Sequence, residues 1–257
     1  TFFADQTLNS IQLKNNKDLN FFSTFIIDFS NTLRSFSIKT GKELWNIKTE
    51  NSLIRSQKKL SMVIVNDQLY FNNSIGDISA VDISQGELLW QFPTQSSLIY
   101  EAAFSLETSD IITDGETLFF SNNKNQFFSI DLDTGSLNWE NKINSNLRPS
   151  IVEDYLFTVS LEGYLFIIEK NSGNIIRVTD IFKIFSKQKR KKIKPVGFIL
   201  GFENIYLATD NGRLLVIDIK TGKTLSVLKI DNEKISRPFF SDNNLFLIKD
   251  NAIIKLQ

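Results

Sequence analysis

The chain contains no cysteine and no histidine. Lack of cysteine removes disulfides, thiolate metal sites and cysteine nucleophiles, and it leaves the compartment open, because an oxidising space permits disulfides without requiring them. Lack of histidine removes the commonest general base and the commonest transition-metal ligand, so serine–histidine triads and histidine-held zinc are excluded. Proline occurs four times and methionine once. No run supplies the roughly 18 apolar residues of a membrane-spanning helix, and Thr1 to Leu13 lacks the basic-then-apolar order of a signal peptide. The chain opens at Thr1, which leaves room upstream for a signal, a lipid-anchor cysteine or further repeats. Net charge is absent as well: 29 basic and 29 acidic residues cancel, so no global field favours nucleic acid or a membrane surface.

What is present is a repeat. Lys39-Thr40-Gly41-Lys42-Glu43-Leu44-Trp45 returns as Ser84-Gln85-Gly86-Glu87-Leu88-Leu89-Trp90 and as Asp133-Thr134-Gly135-Ser136-Leu137-Asn138-Trp139. All three tryptophans stand four residues after the glycine. Two weaker copies follow, Asn171-Ser172-Gly173 with Arg177 in the tryptophan slot, and Lys220-Thr221-Gly222 with Ser226 there. The glycines are 45, 49, 38 and 49 residues apart, a period that suits a four-stranded propeller blade.

Each unit carries a hairpin before its glycine, as in Leu69-Tyr70-Phe71 then Ile78-Ser79-Ala80-Val81-Asp82-Ile83, or Leu156-Phe157-Thr158-Val159 then Tyr164-Leu165-Phe166-Ile167-Ile168. Turn clusters recur in register at Asn73 to Asp77, Leu161-Glu162-Gly163, Asp210-Asn211-Gly212 and Asp250-Asn251-Ala252. A further strand is expected before each hairpin, at Met62 to Val65, Ile111-Ile112 and Phe198 to Leu200, with Arg148-Pro149 and Arg237-Pro238 opening two more. The fold class expected is therefore all-β, a β-propeller of four-stranded antiparallel blades forming one domain over residues 1–257. The last copy stops after its third strand, while Phe2 to Asp5 and Ser10 to Leu13 read as strands without a full unit around them. Pairing those N-terminal strands into the last blade would give six blades; a degenerate blade of their own would give seven.

The Thr-Gly-x-x-x-Trp turn follows strands that end as Val81-Asp82-Ile83 and Ile130-Asp131-Leu132. It resembles the repeat of the quinoprotein-type (PQQ-like) propellers over residues from about 24 to 257, and most of all the BamB family of outer-membrane β-barrel assembly lipoproteins. The resemblance implies a periplasmic, cofactor-free protein of usually eight blades that binds the periplasmic domains of the barrel-inserting subunit. It implies a non-catalytic scaffold at the inner face of the outer membrane, anchored by a lipid upstream of this chain, with no nucleic acid as partner. Gly41, Gly86, Gly135, Gly173 and Gly222, with Trp45, Trp90 and Trp139, are expected to be structural, each indole fastening one blade against the next.

The rival readings are a PQQ- and calcium-dependent dehydrogenase and the ligand-binding sensor part of a larger receptor. Quinone dehydrogenases resemble one another in an acidic calcium site, an acidic base and often a vicinal cysteine pair, and no cysteine exists here. Asp77, Asp110, Asp114, Asp131, Asp133, Asp210 and Asp218 fall mostly at recurring turn or strand-end positions, where side-chain-to-backbone hydrogen bonds explain them. No catalytic, cofactor or metal residue is assigned.

One segment breaks the repeat. Lys183 to Lys194 holds seven positive and no negative side chains, inside an insertion at about 180–195 that begins with the apolar Ile181, Phe182, Ile184 and Phe185. Its expected form is a short amphipathic helix or a loop standing out from the disc. Lys187, Lys189, Arg190, Lys191 and Lys192 are the candidate partner-binding residues, facing an acidic protein or anionic headgroups, where each cation adds about 1 kcal/mol near the surface.

Overall fold

The computed structural model describes residues 9–12, 23–28, 30–49, 60–94, 106–250 and 252–256. They form six antiparallel sheets in which each strand pairs with its neighbours in sequence. The first contains β1 (Asn9–Gln12), β2 (Ser23–Ile27), β3 (Thr32–Ser37) and β4 (Glu43–Lys48), and the second β5 (Met62–Val65), β6 (Gln68–Asn72), β7 (Ile78–Asp82) and β8 (Leu88–Phe92). The third holds β9 (Ile112–Thr113), β10 (Thr117–Asn122), β11 (Gln126–Asp131) and β12 (Leu137–Asn141). The fourth holds β13 (Ser150–Val152), β14 (Tyr155–Val159), β15 (Tyr164–Glu169) and β16 (Ile175–Asp180), and the fifth β17 (Pro195–Leu200), β18 (Asn204–Thr209), β19 (Arg213–Asp218) and β20 (Thr224–Lys229). The sixth has three described strands, β21 (Phe239–Ser241), β22 (Asn244–Lys249) and β23 (Ala252–Leu256). The only described helix, α1 (Lys187–Arg190), is a single turn.

The chain divides into two compact units. One contains the first two sheets and the other the last three, while residues of the third sheet belong to both.

The expected N-terminal pairing is corrected in part. Asn9–Gln12 pairs with β2, with Asn9 opposite Ile27 and Gln12 opposite Thr24, so this run completes the first sheet and not the last. A separate seventh blade is thereby removed for these residues, and Phe2 to Asp5 lies outside the described residues.

In the second and third sheets the two middle strands are buried on both faces, which is why β6, β7, β10 and β11 read as nearly continuous apolar runs, whereas β23 in the sixth sheet is exposed or half-buried along its length. Phe71, Phe119, Phe120 and Phe127 are fully enclosed there, each worth roughly 1.5–3 kcal/mol of burial. Fourth strands alternate between exposed and half-buried, as in β4 and β12. In the first unit Phe25, Leu33, Leu69, Phe71 and Val81 form one core, and in the second Phe157, Leu165, Phe198, Leu207 and Leu215 form another.

Candidate functional site

The repeat residues lie where consecutive sheets meet. Trp45 Nε1 donates to the carbonyl of Ile83 at 3.0 Å, Trp90 Nε1 to Leu132 at 3.1 Å, and Trp139 Nε1 to Lys170 at 2.8 Å. Each acceptor lies at the end of the third strand of the next sheet. The same indoles cover the turn glycines of that sheet: a Cβ added at Gly86, Gly135 or Gly173 would stand 2.6 Å from the ring of Trp45, Trp90 or Trp139. These glycines also have φ between 70° and 74°, so two independent constraints exclude a side chain. From its own sheet, each ring meets an aromatic neighbour: Phe25 for Trp45, Tyr70 for Trp90, and both Phe119 and Phe127 for Trp139. Each indole N–H is thus engaged across the junction, and each ring lies between a glycine of the next sheet and an aromatic side chain of its own.

Arg177 takes over the donor's part in the fourth sheet. Its guanidinium donates to the carbonyls of Ile219, at 2.7 Å, and Lys220. Thr179, two residues on, covers Gly222, where a Cβ would meet Thr179 Oγ1 at 2.6 Å. Gly41 carries the same left-handed φ, but nothing lies within 4 Å of a Cβ added there.

The carboxylates hold turns. Asp131 Oδ1 accepts from the backbone N–H and hydroxyl of Thr134, and Asp218 Oδ1 accepts the same pair from Thr221. Asp82 does so with Ser84 and Gln85. Bonds from these hydroxyls, with the backbone N–H groups behind them, hold all three acids below the ordinary carboxylate range. Asp77 accepts from Thr94 N–H, Asp114 from Glu116 and Thr117, and Asp210 from Lys194. Among the described residues no three His, Cys, Asp or Glu side chains gather into a group that could hold a metal ion.

The basic segment is anchored at both ends. Ile181, Phe182 and Ile193 are buried in the second unit's core, and Phe185 packs at its edge with its ring 5.8 Å from Phe182. Gly163 makes room for Phe182, whose ring would be 2.2 Å from a Cβ at that position. Ile181 N–H donates to Gly163, Thr224 Oγ1 donates to the Ile181 carbonyl, and Lys194 and Asp210 bond reciprocally. Of the apolar start of the insertion, Ile181 and Phe182 therefore belong to the core and Phe185 to its edge, while Ile184 faces solvent, and the helical part is one turn. Sequence reasoning could not see this, because isoleucine and phenylalanine before a basic run read equally as an amphipathic surface.

Lys183, Lys187, Lys189, Lys191, Lys192 and Lys194 are exposed, and Ile184 beside them is 52% exposed. Arg190 is different. It is half-buried and its Nη2 forms an ion pair with Asp180, the residue that also caps Phe182 N–H. Of the five expected partner-binding residues, four lysines are presented to solvent and Arg190 braces the loop.

Comparison with known proteins settles the kinship. The family described as "Outer membrane protein assembly factor BamB" matches residues 18–179, well over half of the chain. The chain belongs to the BamB family. Among solved structures, BamB from Moraxella catarrhalis has 15% sequence identity and a TM-score of 0.59, over 91% of this chain and 78% of that one. The Cps50 (Swd1) β-propeller domain of Myceliophteria thermophila has 12% identity and a TM-score of 0.61, with the same two coverages. At such identities the likeness establishes the fold, a β-propeller. No curated protein matches the chain.

Proposed function

We propose that this BamB-family chain is a single propeller domain that works as a non-catalytic protein-binding scaffold in the periplasm, assisting assembly of outer-membrane β-barrel proteins. Family membership is the observation that carries this reading. The chemistry is consistent with it: indoles and turn carboxylates are engaged in holding sheets and turns together. The exposed lysines supply a docking surface for an acidic face on the periplasmic domains of the barrel-inserting subunit. Ile184 adds apolar area at its edge.

A pull-down with those periplasmic domains tests the proposal. The informative variant replaces Lys187, Lys189, Lys191 and Lys192 by glutamate and leaves Arg190 with Asp180. Wild type is retained, and the variant loses at least tenfold in affinity while melting within about 2 °C of wild type, as expected for solvated side chains. Equal retention of both proteins, or of neither, rejects the assignment.

A further inference from the structure

The turn between the first and second strands is polar in four of the sheets where it is described: Asn66-Asp67, Asp114-Gly115-Glu116, Glu153-Asp154 and Asp242-Asn243. In the fifth sheet it is Gly201-Phe202-Glu203, and Phe202 is 99% exposed. A phenyl ring entirely in water forgoes the burial its type ordinarily achieves, and nothing in the turn requires it: the hydrogen bond that closes the turn runs between backbone groups, Gly201 N–H to the Asn204 carbonyl at 2.7 Å.

Phe202 is not an isolated apolar point. A Cβ on the adjoining Gly201 would stand 3.0 Å from Tyr206 Cε2 and 3.4 Å from Phe240 Cζ. Tyr206 and Phe240 meet edge to face at 5.9 Å, and Phe239 stacks on Phe246 at 5.6 Å. Phe240 is itself 39% exposed. Glycine at 201 is what lets the turn close down on these rings. The result is an aromatic platform built from the fifth and sixth sheets with a fully solvated ring beside it, the arrangement of an anchor residue at a protein interface.

The surrounding charge selects the partner. Glu203 follows Phe202 directly, Asp242 stands two residues after Phe240, and the equivalent turn of the fourth sheet adds Glu153 and Asp154. All four acids are exposed, and among the described residues none of them is ion-paired. These turns contain no lysine or arginine; the acidic zone is bounded by Lys220, next to Ile219 whose N–H donates to the Glu203 carbonyl, by Lys170, whose N–H donates to the Asp154 carbonyl, and by Lys255, opposite Phe246 in the sixth sheet.

We infer that Phe202, Phe240 and Tyr206, with Glu203 and Asp242, form a second docking surface that takes a basic peptide segment bearing apolar side chains. The leucine- or phenylalanine-like groups cover the rings while lysine or arginine meets the carboxylates or lies over the Phe202 face. This surface is separate in sequence and in charge from the lysine segment, so the two proposals stand or fall independently.

Two synthetic capped peptides test it against the full chain by calorimetry: one with a Leu-Phe-Leu centre flanked by two lysines on each side, and a twin with glutamates in place of the lysines. The lysine peptide binds, the glutamate twin binds at least tenfold more weakly, and Phe202→Ser weakens the lysine peptide at least tenfold. The double variant Glu203→Gln/Asp242→Asn weakens it several-fold and flattens its salt dependence. Because Phe202 is fully solvated, its substitution leaves the melting temperature within about 2 °C, which separates lost binding from lost fold. Equal affinity of wild type and Phe202→Ser, equal affinity for the two peptides, or no binding of either peptide overturns the inference.

Discussion

Two kinds of junction join neighbouring sheets in this chain. In the Trp90 junction one side chain does two jobs, donating to Leu132 and roofing Gly135 with the flat of its ring. In the Arg177 junction the jobs are divided: the guanidinium donates to Ile219 and Lys220, and Thr179 roofs Gly222. At a different position and in the opposite direction, Arg237, just before the first strand of the sixth sheet, donates from Nε to Phe198 of the fifth sheet at 2.9 Å while its aliphatic stem lies against Gly197. What the tryptophan slot requires is thus a donor that reaches a carbonyl on the next sheet, together with a surface over a bare Cα. The indole is one way to provide both, and an arginine helped by a neighbour is another.

That comparison breaks most visibly at the indole. Trp90→Ala removes ring contacts with Tyr70 and Gly135 as well as the bond to Leu132, and costs about 3 kcal/mol, read as a lower urea midpoint. Gly135→Ala is next, at about 2 kcal/mol, because the methyl group meets the indole and φ stays at 70°. The two changes combined cost less than their sum, since without the ring only the backbone strain at Gly135 remains; strict additivity in a double-mutant cycle would show that the contact is not what excludes a side chain there. Arg177→Ala costs about 1 kcal/mol, the smallest of the junction effects, because of the two bonds it removes the one to Lys220 is exposed, where water replaces it, and the one to Ile219 is only partly buried.

The acid side of stability gives the subtlest contrast. Asp82, Asp131 and Asp218 titrate below the ordinary carboxylate value in the folded chain. Each therefore adds stability that is fully present above about pH 4 and declines as the pH falls through the depressed folded value. Urea midpoints measured from pH 6 down to pH 2.5 decline less steeply for Asp131→Asn than for wild type, as this side chain no longer binds a proton on unfolding.

The sheets were legible in the sequence because three signals coincide: glycine at a left-handed turn, an indole four residues later, and β-rich runs between turn clusters. The tryptophan-less copies kept only the first and third, so Arg177 was legible as the occupant of the tryptophan slot while its donation across a junction was not. The insertion was legible as a departure from the repeat and misread in form. Charge pattern reports what faces water, but whether Ile181 and Phe182 return to the core depends on the cavity that Gly163 leaves, which no local pattern records. The ion pair of Arg190 was hidden for a similar reason, because its partner Asp180 stands ten residues earlier. Phe202 drew no notice among 23 phenylalanines, since exposure is not visible in residue type.

The fastenings at Trp45, Trp90, Trp139 and Arg177 reach forward along the chain by 38, 42, 31 and 42 residues. Each sheet thus waits for little more than its immediate successor to emerge during synthesis before it is locked. A chain wired this way can zip up in the order it is made, one closure at a time, without holding distant strands in search of partners.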